Sequence, residues 1–292
     1  MATQKDSANK VLYTVSLALF SVIAIIYILP LIITFSNSLM SGSEIIRNYS
    51  SEGSIVHEGK KFIEMNLIPG SVTLSQYDQI LFRSPFYLNM FWNSIKITIP
   101  VVIGQLIVSS MAAYAFTVLR FKYKEALFFI YIIVMLLPLQ VTLMPNYVIA
   151  DMLHMTDSYL AIILPGIFNP FGVFLLRQFM KTIPDAYIES AQIDGAGHFR
   201  IFISIILPMI KSGLASVAML TFVDYWNLID QAVIFICDSN AQPMSLFLAR
   251  INQAQMGISF ASSCFYVLPV LIILFYGQDY LKEGIGLSGL KG

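Results

Sequence analysis

The stretch PDAYIESAQIDGAGHFRIFISIILP, residues 184–208, decides how the rest of the chain is read. The sequence before residue 180 and after residue 211 is largely apolar, yet this segment carries Asp185, Glu189, Asp194, His198 and Arg200. Pro184 suits a first helical position, because its missing N–H is one of the donors a helix start leaves unpaired anyway. Asp185 beside it complements the positive end of the helix dipole. A short helix is predicted over 186–193. Asp194-Gly195 then signals a turn, since glycine accepts backbone angles that other residues resist. A second helical stretch over 198–206 leads into Pro208 and the next apolar run. Two short helices, the first acidic and small-faced, make a docking surface rather than a catalytic site.

The composition identifies the solvent around this loop. Of 292 residues, 57% are hydrophobic and 12% charged, a balance that suits a bilayer better than water. The formal net charge is zero, so charge alone points to no nucleic-acid or anionic partner. Cys237 and Cys264 match no metal-ligand or redox spacing and read as small apolar residues sooner than as a disulfide. His57, His154 and His198 are too dispersed for a metal site. There is no GxxxxGK[ST] run to cradle phosphates, so if ATP drives this protein another subunit hydrolyses it. No metal or cofactor is expected in this chain itself.

The predicted fold is an all-α polytopic membrane protein with six transmembrane helices, roughly 11–36, 92–119, 126–148, 158–178, 207–236 and 260–281, in a single permease domain over 1–292. A spanning helix needs about 20 apolar residues. Residues 11–43 are uncharged, too long a run for a signal peptide and followed by no A-x-A site, so they read as an uncleaved first span. Residues 37–88 are the only long polar stretch and read as an extracellular loop. Gly104, Ser109, Ser110, Ala112 and Ala113 allow close helix packing in the second span. Pro138 and Pro145 should bend the third. The fourth has Pro165 and an Asn169-Pro170 pair near its middle, Asp224 and Asp230 interrupt the fifth, and Pro269 lies in the sixth.

Charge sets the orientation. With the N-terminus inside, the inner segments hold 11 of the 17 Lys and Arg, and RFKYKE at 120–125 is the clearest inside marker. This places both termini, and the 184–208 loop between spans 4 and 5, in the cytoplasm.

Glu189-Ser190-Ala191, then Asp194-Gly195-Ala196, then Ile205-x-Leu207-Pro208 resemble the EAA loop of ABC-importer permeases, departing only by Ser190 where alanine is common. LRFKY at 119–123, LLPLQVTLMPNY at 136–147, NPFGVFLLRQFMKTIPDAY at 169–187, the Trp226-Asn227 pair and GIGLSGLKG at 284–292 extend the resemblance to carbohydrate-type importers. The likeness is to the second permease of the maltose and glycerol-phosphate type, and it holds over 89–292 but not over 37–88.

The resemblance implies a multi-pass permease of the cell membrane, paired with a homologous second permease, a dimer of ABC ATPases that bind ATP and Mg, and an extracellular solute-binding protein. Its loop, through Glu189, Ser190, Ala191, Asp194, Gly195, Ala196, Leu207 and Pro208, would seat on the ATPase, and solute would pass between the permeases by alternating access. Glu189 is then either a partner for a basic ATPase residue or a solvated charge. The candidate path residues are Asn169, Asp224, Trp226 and Asn227. Asn169 is either a packing residue or part of the path, and a membrane acid such as Asp224 is a functional candidate by default. Trp226 is a sugar-stacking ring or, as the resemblance favours, an interfacial anchor. The alternatives are a permease for glycerol-phosphate, an osmolyte or a peptide, an ion-coupled secondary transporter using Asp224 or Asp230, and a membrane enzyme. No catalytic constellation supports the last.

Overall fold

The computed structural model describes residues 2–49, 55–57, 60–62, 68–250 and 255–289. In chain order it forms α1 (Ala2–Ser38), α2 (Gly42–Tyr49), β1 (Ile55–His57), β2 (Lys60–Phe62) and α3 (Ser75–Asp78), which runs into a π-helical turn over Gln79–Arg83. Then follow α4 (Pro85–Thr117), α5 (Lys124–Met135), α6 (Leu139–Met152), α7 (Leu160–Ile167), α8 (Pro170–Met180) and α9 (Asp185–Ile193). Next come α10 (His198–Ile201), a π-helical turn over Phe202–Ile206, α11 (Leu207–Met209), α12 (Lys211–Trp226), α13 (Asp230–Phe235), α14 (Met244–Ala249) and α15 (Met256–Gly289). The architecture is nearly all-helical. The departures from an all-α fold among the described residues are the antiparallel pair β1–β2, in which Ile55 faces Phe62, and a lone bridge between Met40 and Val72. Of the C-terminal GIGLSGLKG motif, residues 290–292 lie outside the described residues.

Among the described residues, four helices are long and apolar enough to cross a bilayer: Tyr13–Ser38, Pro85–Thr117, Leu160–Met180 and Met256–Tyr280. The count rises to six if two bent pairs each make one span, α5 with α6 (101°) and the 198–209 stretch with α12 (76°). The breaks have local causes. Pro138 is the N-cap of α6 with extended ψ 141, because proline lacks the N–H and crowds the preceding residue out of helical geometry. Pro145, expected to bend the same span, lies inside α6 without ending it. Between α7 and α8, Asn169 is extended and its Oδ1 accepts from Phe171 N at 3.0 Å, so a polar cap followed by proline restarts the helix. α12 stops at Trp226, where Asn227 donates back to Val223 O at 2.9 Å, and helix resumes only at Asp230. The span read over 158–178 is thus broken at Phe168 and Asn169, and that over 207–236, expected to be interrupted at Asp224 and Asp230, breaks between those two acids.

The permease domain read over 1–292 divides into two compact units, Met1–Tyr87 with Arg250–Val267, and Leu88–Ala249 with Leu268–Gly292. In the first, the buried Glu44 carboxylate accepts from Gly70 N at 2.7 Å, and the Ser38 hydroxyl lies 2.7 Å from that of Tyr77. These contacts fold residues 68–77 of the polar segment onto α2 and the end of α1.

In the second unit, glycines let helices approach closely: a Cβ on Gly104 would lie 2.5 Å from Ile167, and one on Gly172 would lie 2.5 Å from the Ser109 hydroxyl. This is the packing expected of small residues in α4. Buried Thr221 donates to Gln105 Oε1 at 2.8 Å, joining α12 to α4. Asn93 Nδ2 donates to Asn240 O at 2.7 Å, and Met244 N donates to Ser94 Oγ at 3.1 Å, which holds the segment before α14 against the start of α4.

Candidate functional site

The 184–208 segment folds as a closed structural unit. Pro184 is the extended N-cap rather than the first helical residue, and α9 begins at Asp185, which leads its first turn. At the other end Asp194 is the C-cap and Gly195 is left-handed at φ +79. Gly195 N donates to Gln192 O at 3.0 Å and Ala196 N to Ala191 O at 2.9 Å. These are the paired bonds of a Schellman motif, with Ala191 and Ala196 in the same apolar cluster to complete it. The Asp-Gly-Ala triplet thus has a mechanical reason: the glycine supplies the left-handed angle and the alanine supplies the small apolar lock. Two residues on, a helical stretch runs from His198 to Met209 with a π-helical turn, in which Leu207 N bonds to Phe202 O. Pro208, lacking an N–H, follows directly.

Burial divides the loop into two faces. Ala191 is 8% exposed and belongs to one apolar cluster with Tyr114, Leu176, Met180, Ile201, Phe202 and Val217, against which Ala196 and Leu207 sit half-buried. The Tyr114 hydroxyl lies 3.1 Å from His198 Nδ1. The loop's inner face is therefore joined to α4, α8 and α12 at once. Glu189, Ser190, Asp194, Gly195 and Pro208 are exposed, and so are Tyr187, Ile193 (87%) and Phe199 (73%). An apolar, acid-flanked outer surface on a rigid short helix is suited to docking another protein. Beside it, a cavity of about 890 Å³ is lined by Arg120, Lys124, Lys181, Asp185 and Glu189.

The second candidate site is a cavity of about 470 Å³ at the broken ends of the helices, lined by Leu139, Asn169, Asp224, Tyr225, Asn227, Leu228, Ile229, Asp230 and Gln231. Three of the four candidate path residues, Asn169, Asp224 and Asn227, share this wall. Trp226 does not: it is 1% exposed, stacked on Phe222 at 5.1 Å between ring centroids and edge-on to Phe91 at 5.5 Å. Consecutive residues at the end of α12 point to different sides, so Asp224 and Asn227 open on the cavity while Trp226 fills the helix packing. That burial corrects both the stacking and the anchor readings of Trp226.

Sequence reasoning singled out neither Gln231 nor Arg177, and it took Asp230 only as a possible ion-coupling acid. The signal for the cavity was the crowding of Asp224, Asn227, Asp230 and Gln231 within eight residues of an apolar run. Arg177 read only as an inside charge, yet it is 3% exposed. Cys237 and Cys264 are both free thiols.

Residues 105–286 match the family described as binding-protein-dependent transport system inner membrane component. The chain is 28% identical to an arabinooligosaccharides transport system permease protein of Halalkalibacterium halodurans, over 94% of each chain. It is 30% identical to an sn-glycerol-3-phosphate transport system permease protein of Pectobacterium atrosepticum, over 76% of this chain and 82% of that one. Its fold matches a chain in a crystal structure of a bacterial ABC transporter involved in the import of the acidic polysaccharide alginate, with a TM-score of 0.78 and 21% identity, covering 94% of this chain and 97% of that one. With a family match over more than half its length and a relative at 30% identity over most of both chains, the chain belongs to the binding-protein-dependent transport system inner membrane components and is a permease subunit of an ABC importer.

Proposed function

We propose that this permease forms half of a translocation path for a sugar or oligosaccharide, spanning the membrane six times with both termini in the cytoplasm. Its partners in this reading are a homologous permease, a pair of ABC ATPases that bind ATP and Mg, and an extracellular solute-binding protein. The orientation rests on the excess of Lys and Arg in the segments it puts inside, 11 of 17. The sugar assignment is supported by the arabinooligosaccharide permease that aligns end to end with this chain. A glycerol-phosphate cargo is the second reading, favoured by the relative at 30% identity.

The observation that carries the coupling mechanism is the Schellman-closed α9, with Ala191 seated in one cluster with residues of α4, α8 and α12. A flexible loop would absorb a push from an ATPase. A short helix closed at its C-terminus and tied into one apolar cluster with α4, α8 and α12 moves with them, so closure of the ATPases on ATP is delivered to the helices that wall the path. Asp224 lies 13 residues beyond Lys211, the first residue of α12, or roughly 20 Å along the helix at 1.5 Å per residue. With Lys211 at the inner surface, as this reading has it, the cavity lies within the bilayer's ~30 Å hydrocarbon depth. Asn169, Asp224 and Asn227 would contact solute there as it passes between the two permeases.

The test is purification of the membrane complex through a tag on this chain, with and without Glu189→Arg combined with Gly195→Leu. The expected result is an ATPase that accompanies the unaltered chain, and loss of solute-stimulated hydrolysis in the double variant while the chain still inserts. Gentle extraction that recovers the chain with no ATPase would contradict the proposal.

A further inference from the structure

The wall of the 470 Å³ cavity has a one-sided chemistry. Its nine lining residues include two acids, Asp224 and Asp230, and three amides, Asn169, Asn227 and Gln231, but no basic side chain. Among the described residues neither acid forms an ion pair. Gln231 Oε1 is a buried acceptor with no hydrogen-bond partner. The wall therefore offers carboxylate and amide oxygens, which accept hydrogen bonds from hydroxyl groups. An anion entering this space meets two like charges with no guanidinium or ammonium to offset them. Low-dielectric walls concentrate such a field, and acid-lined constrictions in membrane proteins discriminate by charge for this reason.

We infer that this subunit's half of the path selects against anionic solutes and favours neutral, hydroxyl-rich ones, with Asp224 and Asp230 as the specificity-determining residues. The inference rests on the reading of this cavity as part of the path, and it deepens that reading by naming the cargo's charge. Discrimination here works mainly by exclusion: a neutral polyol finds acceptors, whereas a phosphate ester or a uronate finds repulsion.

The experiment uses the assembled transporter in membranes, with Cys237→Ser and Cys264→Ser removing the native thiols and Asn227→Cys placing one thiol on the cavity wall. Cationic trimethylammonium-ethyl, neutral hydroxyethyl and anionic sulfonatoethyl methanethiosulfonates are the probes. Their reaction rates, with and without ATP, are compared with those of a free thiol in solution. The ratio of cationic to anionic rates cancels changes in thiol ionisation that affect all three equally. The expected ratio exceeds the free-thiol ratio by about tenfold or more, and it falls back toward that value in Asp224→Asn with Asp230→Asn. A ratio at or below the free-thiol value, in the protein with both acids intact, overturns the inference even if the double variant fails to assemble. A raised ratio that neutralising both acids leaves unmoved overturns the assignment to these residues. Failure of all three probes to react overturns the path reading itself, because water would not reach the wall; reaction without charge preference removes only the selectivity.

Discussion

Arg177 and Glu125 are joined near the start of the 184–208 loop: Arg177 Nη2 lies 2.7 and 2.9 Å from the two carboxylate oxygens of Glu125. The same guanidinium donates through Nε to Phe116 O at 3.1 Å and lies 3.7 Å from the centroid of the Phe128 ring. One side chain thus joins α8 to the last turn of α4 and the first turns of α5. Only a planar fork can make this set of contacts together. Arg177→Lys is therefore expected to lower the melting temperature of the detergent-solubilised complex almost as far as Arg177→Met does. Glu125→Gln, whose side chain is largely exposed, should cost much less. Equal loss from Arg177→Lys and Glu125→Gln would mean that the ion pair alone matters.

Gly195 sits at φ +79 with nothing within 4 Å of where a Cβ would stand. Substitution there meets backbone strain and no clash. Gly195→Ala should cost about 1–2 kcal/mol of local stability, and Gly195→Asn less, because asparagine tolerates left-handed geometry. Solute-stimulated ATP hydrolysis should follow the same order, Gly above Asn above Ala. Equal activity in all three would show that the Schellman closure is irrelevant to coupling.

Asn169 restarts the fourth apolar run by capping Phe171 N. Asn169→Ser keeps a capping oxygen, whereas Asn169→Ala removes it at a cost of about 1 kcal/mol. Thermal unfolding of the two variants should separate them in that direction. Uptake should fall in both if the amide also contacts solute.

Trp226 is a packing residue in this structure, stacked on Phe222 and 1% exposed. Trp226→Ala should destabilise the protein by about 3–5 kcal/mol through the cavity it leaves. Trp226→Phe should be milder and leave the half-saturating solute concentration unchanged. A Trp226→Phe transporter of normal stability with a raised half-saturating concentration would restore the sugar-stacking role.

The sequence made the helices and the loop legible because both leave one-dimensional traces. Uncharged runs of twenty residues mark spans, and Pro184, Asp194-Gly195 and Pro208 punctuate the loop with residues whose backbone limits are their own. The interruptions were half-legible: Pro138 and Asn169-Pro170 marked their runs, and Asp224 and Asp230 marked 207–236 as interrupted, but the stop of α12 at Trp226 was hidden because Asn227 caps it through a bond that any polar side chain could make elsewhere. Trp226 was misplaced for a related reason. Its neighbours Asp224 and Asn227 line a cavity, and adjacency in sequence suggested adjacency in role, whereas the helical rotation turns it inward. Arg177 was invisible as a structural residue because its partners, Phe116, Glu125 and Phe128, come from 49 to 61 positions away in the chain.

The most direct test is site-specific photocross-linking in intact membranes, with a benzophenone amino acid at Ile193 and, as control, at Ile68. Both positions are more than four-fifths exposed, and the proposed topology puts them on opposite sides of the bilayer. Ile193 should form an adduct with the ATPase subunit, and the yield should change when ATP is bound; Ile68 should form none. An ATPase adduct at Ile68, or none at Ile193 in a complex that still hydrolyses ATP, would contradict the proposal that the 184–208 loop couples this permease to its ATPase.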